Sequence, residues 1–322
     1  MDHRAGNAVL FLRYRAMAYL AFHNQGKEEV HMDKPQITQA MIDAYDEYTH
    51  LTLDRRSFMD KLTKLAGSAS AAALIAPMLA ANKASAEMIA ANDDRLKAQD
   101  VTYPGSSGEM KGYLVEPKDA SSKLGAVVVI HENRGLNPHI RDVARRMALE
   151  GFIALAPDFL SPQGGTPENE DQARDMFGKL DAATTVANAE ASVKYLKTLP
   201  LSNGNVGAIG FCWGGGLVNN LATKSPELKA AVAYYGAQPK AEEVPNIKAA
   251  LMLHYAGLDE RINAGIDAYK KALQDNGKDV QVFVYDGVNH AFNNDTSAAR
   301  YDKKAADLAW SRTVEFLKKN LG

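Results

Sequence analysis

The chain has 322 residues, enough for one large domain or two small ones. Hydrophobic residues make up 46% and charged residues 24%, too apolar for a disordered chain, and a net charge of −2 gives no basic footprint for nucleic acid. The single cysteine excludes an intramolecular disulfide and any multi-cysteine zinc or iron–sulfur site, which leaves a buried thiol or a working one.

Residues 1–31 have no structural period, and Met32 offers an alternative start. Residues 36–50 place Ile37, Met41, Ala44, Tyr45 and Tyr48 at three- and four-residue steps, which predicts a short amphipathic helix. Arg55-Arg56 then precedes an Ala-rich, weakly apolar run over about 65–81 and the small–x–small sequence Ala84-Ser85-Ala86. Basic start, modest apolar stretch and small-residue exit read as an export signal, and the twin arginine points to the Tat machinery and a periplasmic or exported protein. The competing readings are a structural helix with a surface basic pair, and a cytoplasmic location. A stable membrane span is not expected, because Gly67, Ser68, Ser70 and Pro77 interrupt the run. Residues 1–86 therefore read as a leader.

From about residue 100, short β-branched runs alternate with longer helical ones. The predicted strands are Gly112–Glu116, Ala126–Ile130, Phe152–Ala156, Val206–Gly210, Ala231–Tyr235, Ala250–His254 and Val280–Tyr285. Predicted helices cover His139–Glu150, Asp181–Thr198, Gly214–Thr223, Asn263–Asn276 and Ala298–Lys319. Continuous apolar strands such as AVVVI belong to parallel sheets covered on both faces. The expectation for 87–322 is one α/β domain with a mostly parallel central sheet flanked by helices, and no internal repeat is visible.

The informative stretch is VGAIGFCWGGG, residues 206–216. It has the form of a nucleophile elbow, Gly-x-nucleophile-x-Gly, with Cys212 where many hydrolases carry serine. Such a turn is sharp and strained, so the flanking Gly210 and Gly214 follow from crowding. It also aims the sulfur at a helix start, where the dipole favours the thiolate. The bland alternative is a cysteine packed as a small hydrophobe. On this architecture the acid and the histidine come from loops after later strands, in that order. Asp259 follows the strand ALMLHYA and His290 follows VQVFVY, so both lie at carboxyl ends of strands, where open α/β sheets build their sites. His290 is then the base and Asp259 its orienter. Among the rivals, His254 falls inside a strand and reads as core, His131 precedes the nucleophile, and Asp286 shares the loop of His290. The backbone N–H groups of Trp213 and Asn133 are the oxyanion candidates. Glu132 could act as a local base or a charge partner of the thiol, or could form a surface ion pair with Arg134 at a loop tip. His131-Glu132 is not a zinc-protease fragment, because position 135 is glycine.

Taken together, Cys212 in GFCWGG, Asp259 in GLDERI, His290 in GVNHAF and Glu132 in HENRG resemble the dienelactone hydrolases (carboxymethylenebutenolidases) over about residues 100–320. The HENRGLNPHI and YDKKAADLAW stretches resemble an exported branch of that family. The resemblance implies an α/β-hydrolase fold and a cysteine-histidine-aspartate triad that opens small-molecule esters or lactones through an acyl-cysteine. It implies no cofactor and no metal. It also implies that Glu132 interacts with the resting thiol. In the prototype enzymes two arginines clamp the substrate carboxylate. Here Asn294 stands at one of those positions and Glu170 at the other, with Arg174 one turn later. Asparagine does not replace a bidentate guanidinium, so dienelactone itself is a doubtful substrate. Arg134, Arg174, Phe292 and Asn294 are the substrate-binding candidates. Two other functions compete: a thioesterase or acyl-transfer enzyme with the same triad, and a non-catalytic thiol redox sensor.

Overall fold

The computed structural model describes residues 36–50, 52–80 and 87–322. Residues 1–31 and the small-residue site at 84–86 lie outside the described residues.

Among the described residues eight strands form one sheet: β1 (Leu96–Pro104), β2 (Glu109–Pro117), β3 (Leu124–Ile130), β4 (Ile153–Asp158), β5 (Ser202–Phe211), β6 (Leu228–Tyr234), β7 (Ala250–Ala256) and β8 (Val280–Tyr285). Their order is β1-β2-β4-β3-β5-β6-β7-β8. The pairs β1–β2 and β2–β4 are antiparallel and the rest are parallel. The helices are α1 (Gln39–Thr49), α2 (Arg55–Ala66), α3 (Ala69–Leu79), α4 (Pro138–Leu149), α5 (Glu170–Phe177), α6 (Ala182–Thr198), α7 (Trp213–Lys224), α8 (Glu260–Asn263), α9 (Ile266–Asp275) and α10 (Lys303–Leu321).

Strand β3 explains why the central sheet must be covered twice. Its residues are buried from Gly125 to Ile130, and successive side chains alternate between faces. Ala126, Val128 and Ile130 pack with Ala189, Val193 and Leu196 of α6 and Leu217, Val218 and Leu221 of α7. Val127 and Val129 pack with Ile140, Val143 and Met147 of α4 and Leu317 and Leu321 of α10. This matches the predicted α/β-hydrolase architecture.

Beyond residue 87, β1, α5 and the four-residue α8 were not predicted. Strand β1 is an antiparallel edge strand whose residues are largely exposed, so it lacks the apolar run of a central strand. Helix α5 is only eight residues long.

The described part of the predicted leader, residues 36–50 and 52–80, also folds. Ile37–Gly322 forms one compact unit. Asp54 caps α2 by accepting the Ser57 N–H at 2.7 Å, and Gly67 ends it in the left-handed region. Ser68 then caps α3, and the two helices meet at a bend of 112°. Met41, Tyr45 and Tyr48 of α1 pack with Phe58 and Leu62 of α2 and Ile75 and Leu79 of α3, and Tyr48 stacks on Phe58 at 4.7 Å. No single helix among the described residues is long and apolar enough to cross a membrane, although the bent pair α2–α3 together has the length and composition. Arg55 of the twin arginine pairs with Asp171 at 3.0 Å.

Candidate active site

Cys212 sits between the end of β5 and the start of α7 with φ 55° and ψ −115°. This left-handed conformation is costly for a residue with a Cβ and is held by the packing around it. The flanking glycines make it sterically feasible. A Cβ on Gly210 would lie 2.2 Å from the Gly214 carbonyl oxygen, and one on Gly214 would lie 2.4 Å from the His131 carbonyl oxygen. The turn places Sγ at the N-terminus of a 12-residue helix, where the macrodipole favours the anion. Trp213 is the first residue of that helix, so its N–H has no intrahelical acceptor.

Asp259 ends the β7 loop and caps α8, with one carboxylate oxygen accepting the Ile262 N–H at 3.2 Å. Its other oxygen meets His290 Nδ1 at 2.5 Å. That contact makes Nδ1 the donor and leaves Nε2 for the Cys212 side. His290 Nε2 is buried and makes no hydrogen bond among the described residues. The ring packs against Tyr235 at 4.9 Å. Asp286, the rival acid, is exposed.

Sequence reasoning missed one residue. His50, at the end of α1, directs Nε2 at Cys212 Sγ, 3.3 Å away. Its Nδ1–H donates to the Asp46 carbonyl oxygen at 2.8 Å, and the Asp46 carboxylate lies 3.3 Å from the same nitrogen. The two imidazole rings meet edge to face at 4.7 Å. The only sequence signal was its place at the end of a predicted helix, and that says nothing about a contact 162 residues away.

Burial alone would raise the Cys212 thiol. The charges of His290 and then His50 overcome it, and the pKa is lowered to about 6. Burial also opposes charge on His50, but the Cys212 thiolate and the Asp46 contact raise it to about 9. His290 is likewise raised well above its usual value against burial, by Asp46, Cys212 and Asp259. The mutual shifts favour a thiolate beside charged imidazole rings.

The remaining candidates divide. Asn133 lines the cavity beside Cys212, and its side chain donates to the Thr49 carbonyl at 2.6 Å. Glu132 lines the same cavity, but its carboxylate accepts from Asn294 at 2.9 Å, while the thiol takes His50 as its hydrogen-bond partner. Asn294 is buried and also accepts from Thr296 at 2.6 Å. Arg134 donates to the Glu170 carbonyl at 3.0 Å, and its guanidinium lies 3.7 Å from Asp171, so Glu132 is not its ion-pair partner. Arg174 donates to Asp175 at 2.7 Å and lies over the Tyr48 ring at 4.4 Å. Phe292 does not line the site, contrary to expectation. It is fully buried, its ring against those of Tyr235 and Tyr285, and it follows Ala291, which has a positive φ of 65°. His254 is core as predicted, bonded to Tyr285 at 2.9 Å and Thr313 at 3.1 Å, and burial lowers its pKa to about 3. His131 is buried and stacks on Trp213 at 5.5 Å.

A cleft of about 960 Å³ opens from Cys212, with Phe177, Leu180, Val186 and Leu217 on an apolar wall and Arg174, Lys224, Lys240 and Arg261 among the charged residues that also line it. It has room for a bulky group that lays apolar surface on that wall and polar atoms on the charged side. The two histidines and Sγ, with one donor atom each within 4.8 Å of one another, are also ligand types that zinc accepts. The same three atoms are the ones a thiol nucleophile and its bases require.

The model of the Dienelactone hydrolase family matches residues 110–321, from β2 to the last turn of α10. The chain belongs to that family. With it, the protein is placed among hydrolases of ester or lactone bonds. It is 32% identical over 244 residues to a Synechocystis protein described as "Putative carboxymethylenebutenolidase", covering 70% of this chain and 98% of that one. It is 37% identical over 236 residues to "Protein usf" of Aquifex pyrophilus, covering 69% and 99%. Among solved structures it resembles a "Putative Dienelactone Hydrolase" of Klebsiella pneumoniae at 27% identity and TM-score 0.64, over 70% of this chain and all but 1% of that one.

Proposed function

We propose that the protein is a cysteine-dependent hydrolase of carboxylic esters or lactones that works through an acyl-cysteine. The observation carrying this reading is the strained Cys212 elbow facing a His290 that Asp259 orients at 2.5 Å. The thiolate attacks the substrate carbonyl carbon, and the carbonyl electron pair moves to oxygen, toward the N–H groups of Trp213 and Asn133. Collapse breaks the C–O bond, and the leaving oxygen takes the proton of His290. The neutral imidazole then draws a proton from water, whose oxygen displaces the thiolate.

Mass spectrometry of the protein quenched during turnover of a p-nitrophenyl ester tests this. The expected result is an acyl adduct on the peptide carrying Cys212, and an acyl group on another residue would refute the thiol mechanism.

The pH dependence has a defined sign. The thiolate fraction grows as pH rises through about 6, so kcat/KM should rise there. It should fall only on the alkaline side, as the imidazolium rings lose their protons, His50 at about 9. A profile rising only near the ordinary thiol pKa would contradict the ion-paired resting state.

For the substrate we favour a larger, mainly apolar ester or lactone over a small carboxylate-bearing one. Asn294 is held by Glu132, and both Arg134 and Arg174 are engaged by other partners, so the two clamp positions carry no guanidinium free for a carboxylate. Comparison of kcat/KM across neutral and carboxylate-bearing esters of matched size is the relevant measurement.

Export through the Tat route, with the N-terminal helices staying docked rather than cleaved, is a separate proposal resting on Arg55-Arg56. Replacing both arginines by lysine should retain the protein in the cytoplasm. Unchanged fractionation would remove the export reading.

A further inference from the structure

The family match begins at residue 110, yet one wall of the catalytic cavity comes from far upstream. Helix α1 is fastened to the catalytic part by polar contacts. Gln39 donates to Asn289, next to the catalytic histidine, at 2.5 Å, and Asn133 donates to the Thr49 carbonyl at 2.6 Å. Arg174 and Arg300 lie over the Tyr48 and Tyr45 rings at 4.4 and 5.0 Å. These fix the end of α1, and with it His50, against the elbow.

We propose that His50 is a second active-site imidazole, carried in by the N-terminal helices, that keeps Cys212 ionised at rest and receives the thiolate when the acyl-cysteine is hydrolysed. This rests on the thiol-nucleophile reading above. The geometry is that of a second histidine–carboxylate pair: Asp46 holds Nδ1 as His50 presents Nε2 to Sγ at 3.3 Å, while Asp259 holds Nδ1 of His290. His50 thereby touches the reacting atom without entering the proton relay of His290. In deacylation the water oxygen bonds to the acyl carbon, and the C–S bond breaks with its electron pair going to sulfur. The Nε2–H of a charged His50 donates to that sulfur as the bond breaks. A better-stabilised thiolate is a better leaving group, so the effect falls on hydrolysis of the intermediate.

The charged groups around His50 come from several elements: Asp46 on α1, Cys212 at the start of α7, Asp259 and His290 on the loops after β7 and β8, and Arg261 and Arg300 toward Asp46. Because Cys212 is the only cysteine, its ionisation can be read without turnover from the pH dependence of alkylation by iodoacetamide.

The experiment uses the full chain with His50→Gln and His50→Ala. Gln retains a hydrogen-bonding side chain but no charge, so it keeps the proposal testable if Ala loosens the docking of α1. In both, the alkylation profile should move to higher pH, kcat should fall at least tenfold, and KM should fall with it as the acyl-enzyme accumulates. The thermal midpoint of the Gln variant should stay near that of the parent. An unchanged alkylation profile overturns the proposal, and so does a rise in kcat, which would make His50 a plug over the nucleophile. Failure of the thiol mechanism itself is seen separately, as activity surviving in Cys212→Ala.

Discussion

Cys212→Ala should reduce ester hydrolysis by roughly 10⁴-fold or more while leaving a folded protein. Alanine cannot form the acyl bond, and neither His50 nor His290 reaches the substrate carbonyl through it. The structural cost is small by comparison. The side chain is 8% exposed and loses one sulfur, which is worth about 1 kcal/mol, or a few degrees in the thermal midpoint. Turnover of a p-nitrophenyl ester beside a thermal melt separates the two effects. Alanine keeps the Cβ at φ 55°, so the elbow strain is unchanged, and loss of activity cannot be assigned to a relaxed turn. Wild-type turnover in this variant would exclude the nucleophile. Cys212→Ser decides less, because a hydroxyl beside two imidazoles can retain part of the rate.

The second large effect is expected at His290. His290→Ala removes the group that protonates the leaving oxygen and activates water, a loss of about 10²- to 10⁴-fold in kcat. His50 remains on the sulfur at 3.3 Å, so the thiolate should persist in part and alkylation of Cys212 should stay measurable at neutral pH. The signature is therefore a thiol that still reacts with iodoacetamide but scarcely turns over ester. His254→Ala provides the control. Its ring bonds Tyr285 and Thr313 inside the core; each hydroxyl keeps one other partner, Arg312 and Tyr234, so removing the ring costs about 0.5–1.5 kcal/mol for each lost hydrogen bond, and its packing besides. That variant should melt earlier with kcat nearly intact. A kinetic loss at His254 equal to that at His290 would mean the base had been misassigned.

Much of this molecule was legible in its sequence because the signals are local. The run Ala126–Ile130 has to be a central strand, since nothing but a doubly covered sheet buries consecutive apolar residues on both faces. Gly210 and Gly214 mark the elbow because a Cβ at either would strike backbone within 2.4 Å. Asp259 and His290 were found by their place at strand ends, a rule of topology that needs no coordinates. The edge strand β1 escaped because its exposed residues carry no burial pattern.

What the sequence by itself determined was the α/β framework, the elbow and the placing of Asp259 and His290 at strand ends, each set by hydrophobic period, steric exclusion or topology. Only the tertiary structure decided which charges meet at Sγ. The amphipathic pattern of 36–50 tells which face of α1 is buried, but not that its last turn lies over Cys212. Likewise Arg134, Arg174 and Asn294 could be named from position, while their engagement by Glu170, Asp175 and Glu132 depends on side chains from other elements. Such contacts are set by long-range packing, and an ion pair leaves no period in the chain for a sequence to display.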